Sequence, residues 1–228
     1  MDRLRVGMDH EAGTGVLAKC SSAPVASRVH RGFTLIELMV TITLMGLLLA
    51  LAAPAMLSWI RNSKIRTTAE GLQSGLRQAQ AEALRRSRQV SFSLTDSKPT
   101  AAVSDIEAKT DGSHWVIHVL PSMATVEAAE LIESGVITDI GSGVQTVGPA
   151  TVCFNSLGRL VPNDTAGIKA ATGGATCSVD PDPAKAVLYE IKSPNSDRPL
   201  NVVVTVGGQV RMCDPKKTFS STHPDGCA

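Results

Sequence analysis

At 228 residues the chain has room for one domain of ordinary size with an appendage. A formal charge of +1 excludes binding to nucleic acid through sheer basic excess, and 3% aromatic residues argue against stacking platforms for single strands. With 43% hydrophobic and 19% charged residues the chain is too apolar to be disordered throughout, and its five Cys lack the CxxC or Cys/His spacing of a structural zinc site.

From Leu38 to Ile60 run 23 residues without a charge, LMVTITLMGLLLALAAPAMLSWI, preceded by Arg28 and Arg31 and followed by Arg61, Lys64 and Arg66. As a helix this run is roughly 35 Å long, enough to cross a hydrocarbon core of about 30 Å. A core helix of a soluble protein rarely stays uncharged for so long. Pro54 lies inside the run, and a membrane helix tolerates it as a kink. The run is too long for the apolar core of a cleaved secretory signal, and no A-x-A site ends it. Leu17-Ala18-Lys19-Cys20 does not read as a lipoprotein site, since no apolar stretch precedes Cys20. The segment is therefore expected to stay in the mature protein. Glu37 breaks the apolar pattern that starts at Phe33. A carboxylate at that depth is costly unless a partner meets it, which makes it a functional candidate.

The string Arg31-Gly32-Phe33-Thr34-Leu35-Ile36-Glu37-Leu38 resembles the class III signal of type IV pilins and type II secretion pseudopilins. The resemblance implies that a membrane-embedded prepilin peptidase cuts between Gly32 and Phe33 and methylates Phe33. It implies also that Glu37 pairs with the terminal amine of a neighbouring subunit. The physics agrees, because a buried Glu without a basic partner in its own chain needs one from another. Thr151-Val152-Cys153-Phe154-Asn155-Ser156-Leu157-Gly158-Arg159 resembles the F-x-x-x-G-R strand and turn of the GspH/FimT group of minor pilins. Gly208-Gln209-Val210-Arg211-Met212-Cys213-Asp214-Pro215 is similar to that group's G-R-x-R-x-C-D-P ending, with Gln209 in place of the first Arg. The leader of 32 residues is long for the group, and a start at Met8 shortens it little.

Beyond Ile60 the helical pattern continues. Leu57, Ile60, Ile65, Ala69, Leu72, Leu76, Ala79 and Ala83 mark an apolar stripe, opposite Arg61, Lys64, Arg66, Gln73, Arg77, Glu82, Arg85 and Arg88. One helix from Phe33 to about Arg88 would be roughly 80 Å long. Gly71 and Gly75 weaken it and allow another element to approach. After Gln89 come β-like runs: Val90–Leu94, His114–Leu120, Thr151–Phe154, Ala186–Lys192, Leu200–Val206 and Gln209–Met212. Gly207-Gly208 reads as a tight hairpin turn, and Asp96–Gly112 and Pro162–Pro183 read as loops. The expected fold is α+β, a long helix packed on an antiparallel β-sheet domain. The expected divisions are a leader (1–32), a transmembrane part of the helix (33–60), its amphipathic part (61–89) and a β-rich domain (90–228).

Cys153, Cys177, Cys213 and Cys227 all follow the span, and four Cys in an exported domain favour disulfides, with three connectivities open. The most economical pairs Cys153 with Cys177 and Cys213 with Cys227 in two local loops. His114 and His118 lie four apart, but in a β-like run that spacing puts them about 13 Å apart, and no third ligand accompanies them. Asp180-Pro181-Asp182-Pro183 is read as a stiff loop before a calcium site, and Gly13-Thr14-Gly15 and Gly141-Ser142-Gly143 lack the Lys of a phosphate loop. Asn163-Asp164-Thr165 is a glycosylation sequon only in a compartment this chain is not expected to enter. No Ser/His/Asp or Cys/His set suggests catalysis, and no cofactor or metal is expected.

Residues 61–88 carry seven basic and two acidic residues, a net +5, while the chain from Gln89 onward carries −5. A basic stalk base suits anionic headgroups. Three functions follow. The first is a structural subunit of an inner-membrane-anchored filament, single-pass with a periplasmic domain, whose partners are other pilins or pseudopilins, the prepilin peptidase and membrane lipid. The second is DNA uptake, which resemblance to FimT-type pilins implies, through a tail patch of Arg198, Arg211, Lys216 and Lys217. The third, a membrane protein unrelated to filaments, fits poorly with Glu37 in its Gly-Phe-Thr-Leu setting.

Overall fold

The computed structural model describes residues 32–96, 106–121, 129–137, 143–165, 169–170, 173–174, 176–179, 186–194 and 196–227. The leader up to Arg31, Gly141-Ser142 and the Asp180–Pro183 segment lie outside them. The chain divides into two units, Met1–Gly46 and Leu47–Ala228.

Helix α1 (Leu35–Arg86) supplies most of the described part of the first unit and the start of the second. It begins where Thr34 can cap it: Thr34 Oγ1 accepts a hydrogen bond from Glu37 N at 3.3 Å, and Thr34 O accepts one from Leu38 N at 3.2 Å. Thr at the cap with Glu three residues on is the spacing of a capping box. The helix ends in a Schellman arrangement, with Ser87 N donating to Leu84 O and Arg88 N to Ala83 O. Ser87 takes the left-handed conformation there, at φ 52°.

In the second unit, Ile65, Ala69, Leu72, Leu76, Ala79 and Ala83 are all buried, and the spacing of three and four puts them on one face. The expected stripe is thus correct from Ile65 onward but starts too early, since Leu57 is 52% exposed. The other face is less polar in role than its residues suggest. Arg77 Nη2 donates to Val210 O at 3.0 Å, and Gln80 Nε2 to Gly158 O at 2.8 Å, so these side chains tie the helix to the β-structure.

That β-structure comprises twelve strands among the described residues. They are β1 (Val90–Thr95), β2 (Glu107–Ala108), β3 (His114–Val119), β4 (Glu130–Val136), β5 (Gln145–Val147), β6 (Thr151–Phe154), β7 (Lys169–Ala170), β8 (Gly173–Gly174), β9 (Val187–Lys192), β10 (Leu200–Val204), β11 (Val210–Thr218) and β12 (Gly226–Cys227). They form two sheets rather than the single one expected. The first runs β4-β3-β1-β2-β7-β8, with β6 also paired to β1, and the second runs β12-β11-β10-β9-β5. Most pairings are antiparallel, while β2 with β7 and β11 with β12 are parallel.

β1 shows why an alternating sequence can be buried throughout. Val90, Phe92 and Leu94 join the core formed with α1 and with Tyr189, Ile191, Val202 and Val204 of the second sheet. Ser91, Ser93 and Thr95 point to the opposite face, which is also covered, beside a second cluster containing Val116, Cys153 and Cys177. The hydroxyls there find partners: Ser91 Oγ lies 2.8 Å from His118 Nε2, and Ser93 Oγ lies 3.0 Å from Thr151 Oγ1. His118 is therefore a buried partner of Ser91.

Gly75 and Gly71 differ. A Cβ at Gly75 would sit 3.1 Å from the Phe92 ring and 3.2 Å from Trp115, so the missing side chain admits those aromatics, which stack at 5.7 Å. A Cβ at Gly71 would meet nothing within 4 Å.

Candidate functional site

The N-terminal segment is built to be reached. Gly32 and Phe33 precede the first helical residue, and Phe33 is 81% exposed. Among the described residues nothing lies within 4 Å of the position a Gly32 side chain would take. The large apolar side chains from Phe33 to Trp59, among them Leu38, Ile42, Leu48 and Leu51, are at least half exposed. An 18-residue window of α1 with mean hydropathy 2.3 is not buried at all, so by length and composition the helix can cross a membrane. The hydroxyls of its uncharged run are satisfied within the helix: Thr41 Oγ1 donates to Leu38 O, Thr43 Oγ1 to Val40 O, and Ser58 Oγ to Ala55 O, each at 2.9 Å. Back-bonding of this kind suits a segment whose surroundings offer no water. Glu37 is exposed and has no ion-pair partner among the described residues.

Two glycine turns brace the β-structure against α1. In Asn155–Arg159, Asn155 Oδ1 accepts from Leu157 N and Arg159 N, both at 3.0 Å, and Gly158 has φ 71°. In the β10–β11 hairpin, Gly208 N donates to Thr205 O at 2.8 Å and Thr205 N to Gln209 O at 3.0 Å. Gly208 lies at φ 90°, which makes a three-residue hairpin loop with its glycine in the left-handed position. A Cβ there would fall 1.9 Å from Gly158 O and 2.4 Å from Gln80 Nε2. The two turns and Gln80 are thus in direct contact. This is the physical content of the Gly158-Arg159 and Gly208 motifs: both glycines provide a left-handed backbone, Gly208 leaves room for the Gly158 turn, and Gly158 leaves room for Gln80 and Leu84 of α1.

The four late cysteines form two bonds in the structure, Cys153–Cys177 at 2.04 Å and Cys213–Cys227 at 2.03 Å. The first joins β6 to a bridge in which Asn163 and Cys177 exchange backbone hydrogen bonds of 2.8 and 3.0 Å. The second folds the tail back onto β11, where Asp214 N donates to Asp225 O at 2.7 Å and Phe219 N to Cys227 O at 3.0 Å.

The basic residues of the tail are less available than their number implies. Lys217 Nζ lies 2.5 Å from Asp225 Oδ2 and 3.9 Å from Asp214 Oδ2. This contact holds the Asp225 carboxyl below its ordinary value. Lys216 Nζ donates to Asp197 O at 2.5 Å, and the Arg211 guanidinium lies over the Phe219 ring at 5.3 Å. Arg198 is exposed on a groove that it shares with Asp197, Asp214 and Asp225. Among the described residues no group of three or more His, Cys, Asp or Glu could hold a metal ion, and His114 lies 2.9 Å from Ser113 Oγ.

Sequence reading missed β4, β5, β12 and the partners of Gln80 and Arg77, and the short strands β2, β7 and β8 lie within Asp96–Gly112 and Pro162–Pro183, which read as loops. For β4 the available signal was Leu131-Ile132 and Val136-Ile137 around a Gly. Gly135 is required because a Cβ there would fall 2.3 Å from the Trp115 ring.

Comparison with known families places these features. The prokaryotic N-terminal methylation motif matches residues 27–53, and the type II transport protein GspH family matches residues 68–208. Two crystal structures of the type IV minor pilin FimU from Pseudomonas aeruginosa are similar, at 16% identity with TM-score 0.42 and at 15% identity with TM-score 0.45. The alignments cover 67% and 68% of this chain, and 94% and 92% of those chains. No curated protein sequence matches.

Proposed function

The chain belongs to the family of type II transport protein GspH, and from that premise we propose that it is a membrane-anchored structural subunit of a pilus or pseudopilus. It is a minor pilin or pseudopilin with a prepilin methylation motif, and the family is structural rather than enzymatic. In this reading prepilin peptidase cuts between Gly32 and Phe33 and methylates Phe33. The first part of α1 then anchors the subunit in the inner membrane with its β-domain in the periplasm, and on assembly packs against sister helices. Glu37 accepts the terminal amine of a neighbouring subunit. The observation that carries the reading is the pairing of an exposed apolar stretch of α1 with a carboxylate near its start that has no ion-pair partner among the described residues. A helix of that kind needs both an apolar environment and a cation from outside its own chain.

Duplex DNA binding through Arg198, Arg211, Lys216 and Lys217 is the weaker reading. Non-specific affinity scales with the phosphates neutralised, and Lys217 already faces two carboxylates.

The test is mass spectrometry of the protein from membranes of a host with an active prepilin peptidase. The N-terminal peptide is expected to begin at a methylated Phe33, and a Gly32→Trp variant to keep its leader. A wild-type protein that retains residues 1–32 would overturn the proposal.

A further inference from the structure

Where α1 leaves its uncharged run, a groove of about 850 Å³ opens between the helix and the tail. Its helix wall carries Trp59, Asn62 and Arg66, one face of two helical turns. Its other wall carries Asp197, Arg198, Asp214, Lys217 and Asp225. The groove is thus strongly charged yet balanced, with three cations and three carboxylates. Some of these charges are committed: Arg66 Nε lies 2.9 Å from Glu70 Oε1, and Lys217 faces Asp225 and Asp214. Arg198 and the Asp197 carboxylate are exposed and have no ion pair among the described residues. Asn62 Oδ1, in the helix wall, is buried without a hydrogen-bond partner, so that wall has unused acceptor capacity.

We propose that this groove binds the headgroup of an amine-bearing zwitterionic phospholipid, with the phosphate against Arg198 and the primary ammonium against the Asp197 carboxylate. The inference rests on the reading that residues 38–60 span the bilayer. Three observations select a lipid. The groove begins at Ser58 and Trp59, the last turn of the uncharged run, so its mouth lies at headgroup depth. Trp59 is 68% exposed, and an indole at that depth presents an apolar body to chains and a polar N–H to headgroups. The exposed side chains of Leu51, Met56 and Leu57 lie on the preceding turns, where acyl chains can follow the helix. The charge balance selects the headgroup. A purely anionic one would leave the carboxylates facing another negative charge. A choline carries no N–H to donate to them, whereas a primary ammonium carries three.

The full-length chain, reconstituted into nanodiscs of mixed phosphatidylethanolamine, phosphatidylcholine and phosphatidylglycerol, is released into mild detergent and its retained lipids are counted by native mass spectrometry. One phosphatidylethanolamine is expected to be retained about tenfold over phosphatidylcholine. The Arg198→Gln and Asp197→Asn double variant, which alters two exposed side chains, is expected to lose that preference. Equal retention of the two lipids, preferential retention of phosphatidylglycerol, or an unchanged preference in the variant would each overturn the headgroup site while leaving the anchor reading intact. A chain that does not enter the nanodisc at all overturns the membrane reading, and the headgroup site with it.

Discussion

The apolar side chains at the two ends of α1 have opposite fates. Leu44, Leu48 and Leu51 are more than half exposed, whereas Leu72 and Leu76 are at most 1% exposed. The presence and spacing of charges separate them. In the later part Arg66, Glu70, Arg77 and Glu82 alternate with the buried stripe, so one face is left for a β-domain to cover. In the earlier part no charge after Glu37 marks an outer face, and none of the described residues covers it. A helix apolar on every side is completed by lipid or by other chains, and one apolar on a single side is completed by its own domain.

The sharpest way to break that contrast is Glu37→Ala. The variant is expected to insert in membranes normally and to be absent from filaments, because only the bond to a neighbour's amine is lost. The melting temperature of the β-domain is expected not to change. Filaments that contain the variant at normal levels, by immunoblot of sheared fractions, would refute the intermolecular pairing.

Leucine truncations measure the two parts of the helix directly. Leu76→Ala removes a side chain that is 0% exposed and is expected to cost about 2–5 kcal/mol in denaturant unfolding. Leu44→Ala, at 56% exposure, is expected to leave unfolding of the β-domain within about 0.5 kcal/mol of wild type. Equal effects would mean that the early helix is covered by its own chain after all.

The disulfides extend the contrast to the domain's periphery. Cys153→Ser with Cys177→Ser opens a separation of 24 residues in a buried cluster, against 14 for Cys213 and Cys227. Each loss is expected to cost about 2–4 kcal/mol, with the longer loop at the upper end. Thermal melts of the two double variants check the ranking, and a larger loss from the tail pair would reverse it.

How much of this was legible depended on which signals are local. The stripe from Ile65 and the runs that became β1, β3, β6, β9 and β10 are written in side-chain period, and the structure follows them. β4 was not readable because Glu130, Glu133, Ser134 and Gly135 sit on a partly exposed sheet edge. Such an edge has no need of an apolar alternation. The division into two sheets was hidden for another reason: it depends on which strands pair across long separations, and no residue type marks that choice. In the candidate site, the processing motif was legible as a string. The contact between the Gly158 and Gly208 turns was not, since it joins segments fifty residues apart through Gln80.

A smaller effect tests the polar periphery by pH. Lys109 Nζ lies 2.7 Å from Asp96 Oδ2, and Ser113 N and Oγ each donate to Asp96 Oδ1 at 3.0 Å. The Lys109 contact first, and the Ser113 bonds after it, hold the Asp96 carboxyl down at about 2. Because the folded value is depressed, the stabilisation is complete above the unfolded value near 4. It is lost as pH falls through about 2. With the side chain 48% exposed, water screens the pair, and about 1 kcal/mol is its upper bound. Asp96→Asn should therefore lower stability at pH 7 and converge with wild type near pH 2. A constant difference across that window would assign the effect to something other than the charge.

The smallest expected change lies where α1 stops. Ser87 closes the helix at φ 52°, where its Cβ crowds the backbone, a conformation that costs an L-residue about 1–2 kcal/mol and costs Gly almost nothing. Ser87→Gly removes that cost but adds freedom to the unfolded chain, which returns part of the gain. The net expectation is a stabilisation of about 0.5–1 kcal/mol, read as a rise in the denaturant midpoint at constant slope. Gly71→Ala should match it, since the added methyl meets nothing within 4 Å and the helix interior prefers Ala by up to about 1 kcal/mol. Gly75→Ala has the same intrinsic gain, but its methyl would meet the Phe92 and Trp115 rings at 3.1–3.3 Å. Those rings are clamped against each other and the core, so they yield only at a cost in packing. The order expected is therefore Gly71→Ala above Gly75→Ala. If the two stabilise equally, the aromatic pair is free to move, and the helix is held to the sheets by its aliphatic stripe and by Arg77 and Gln80 instead.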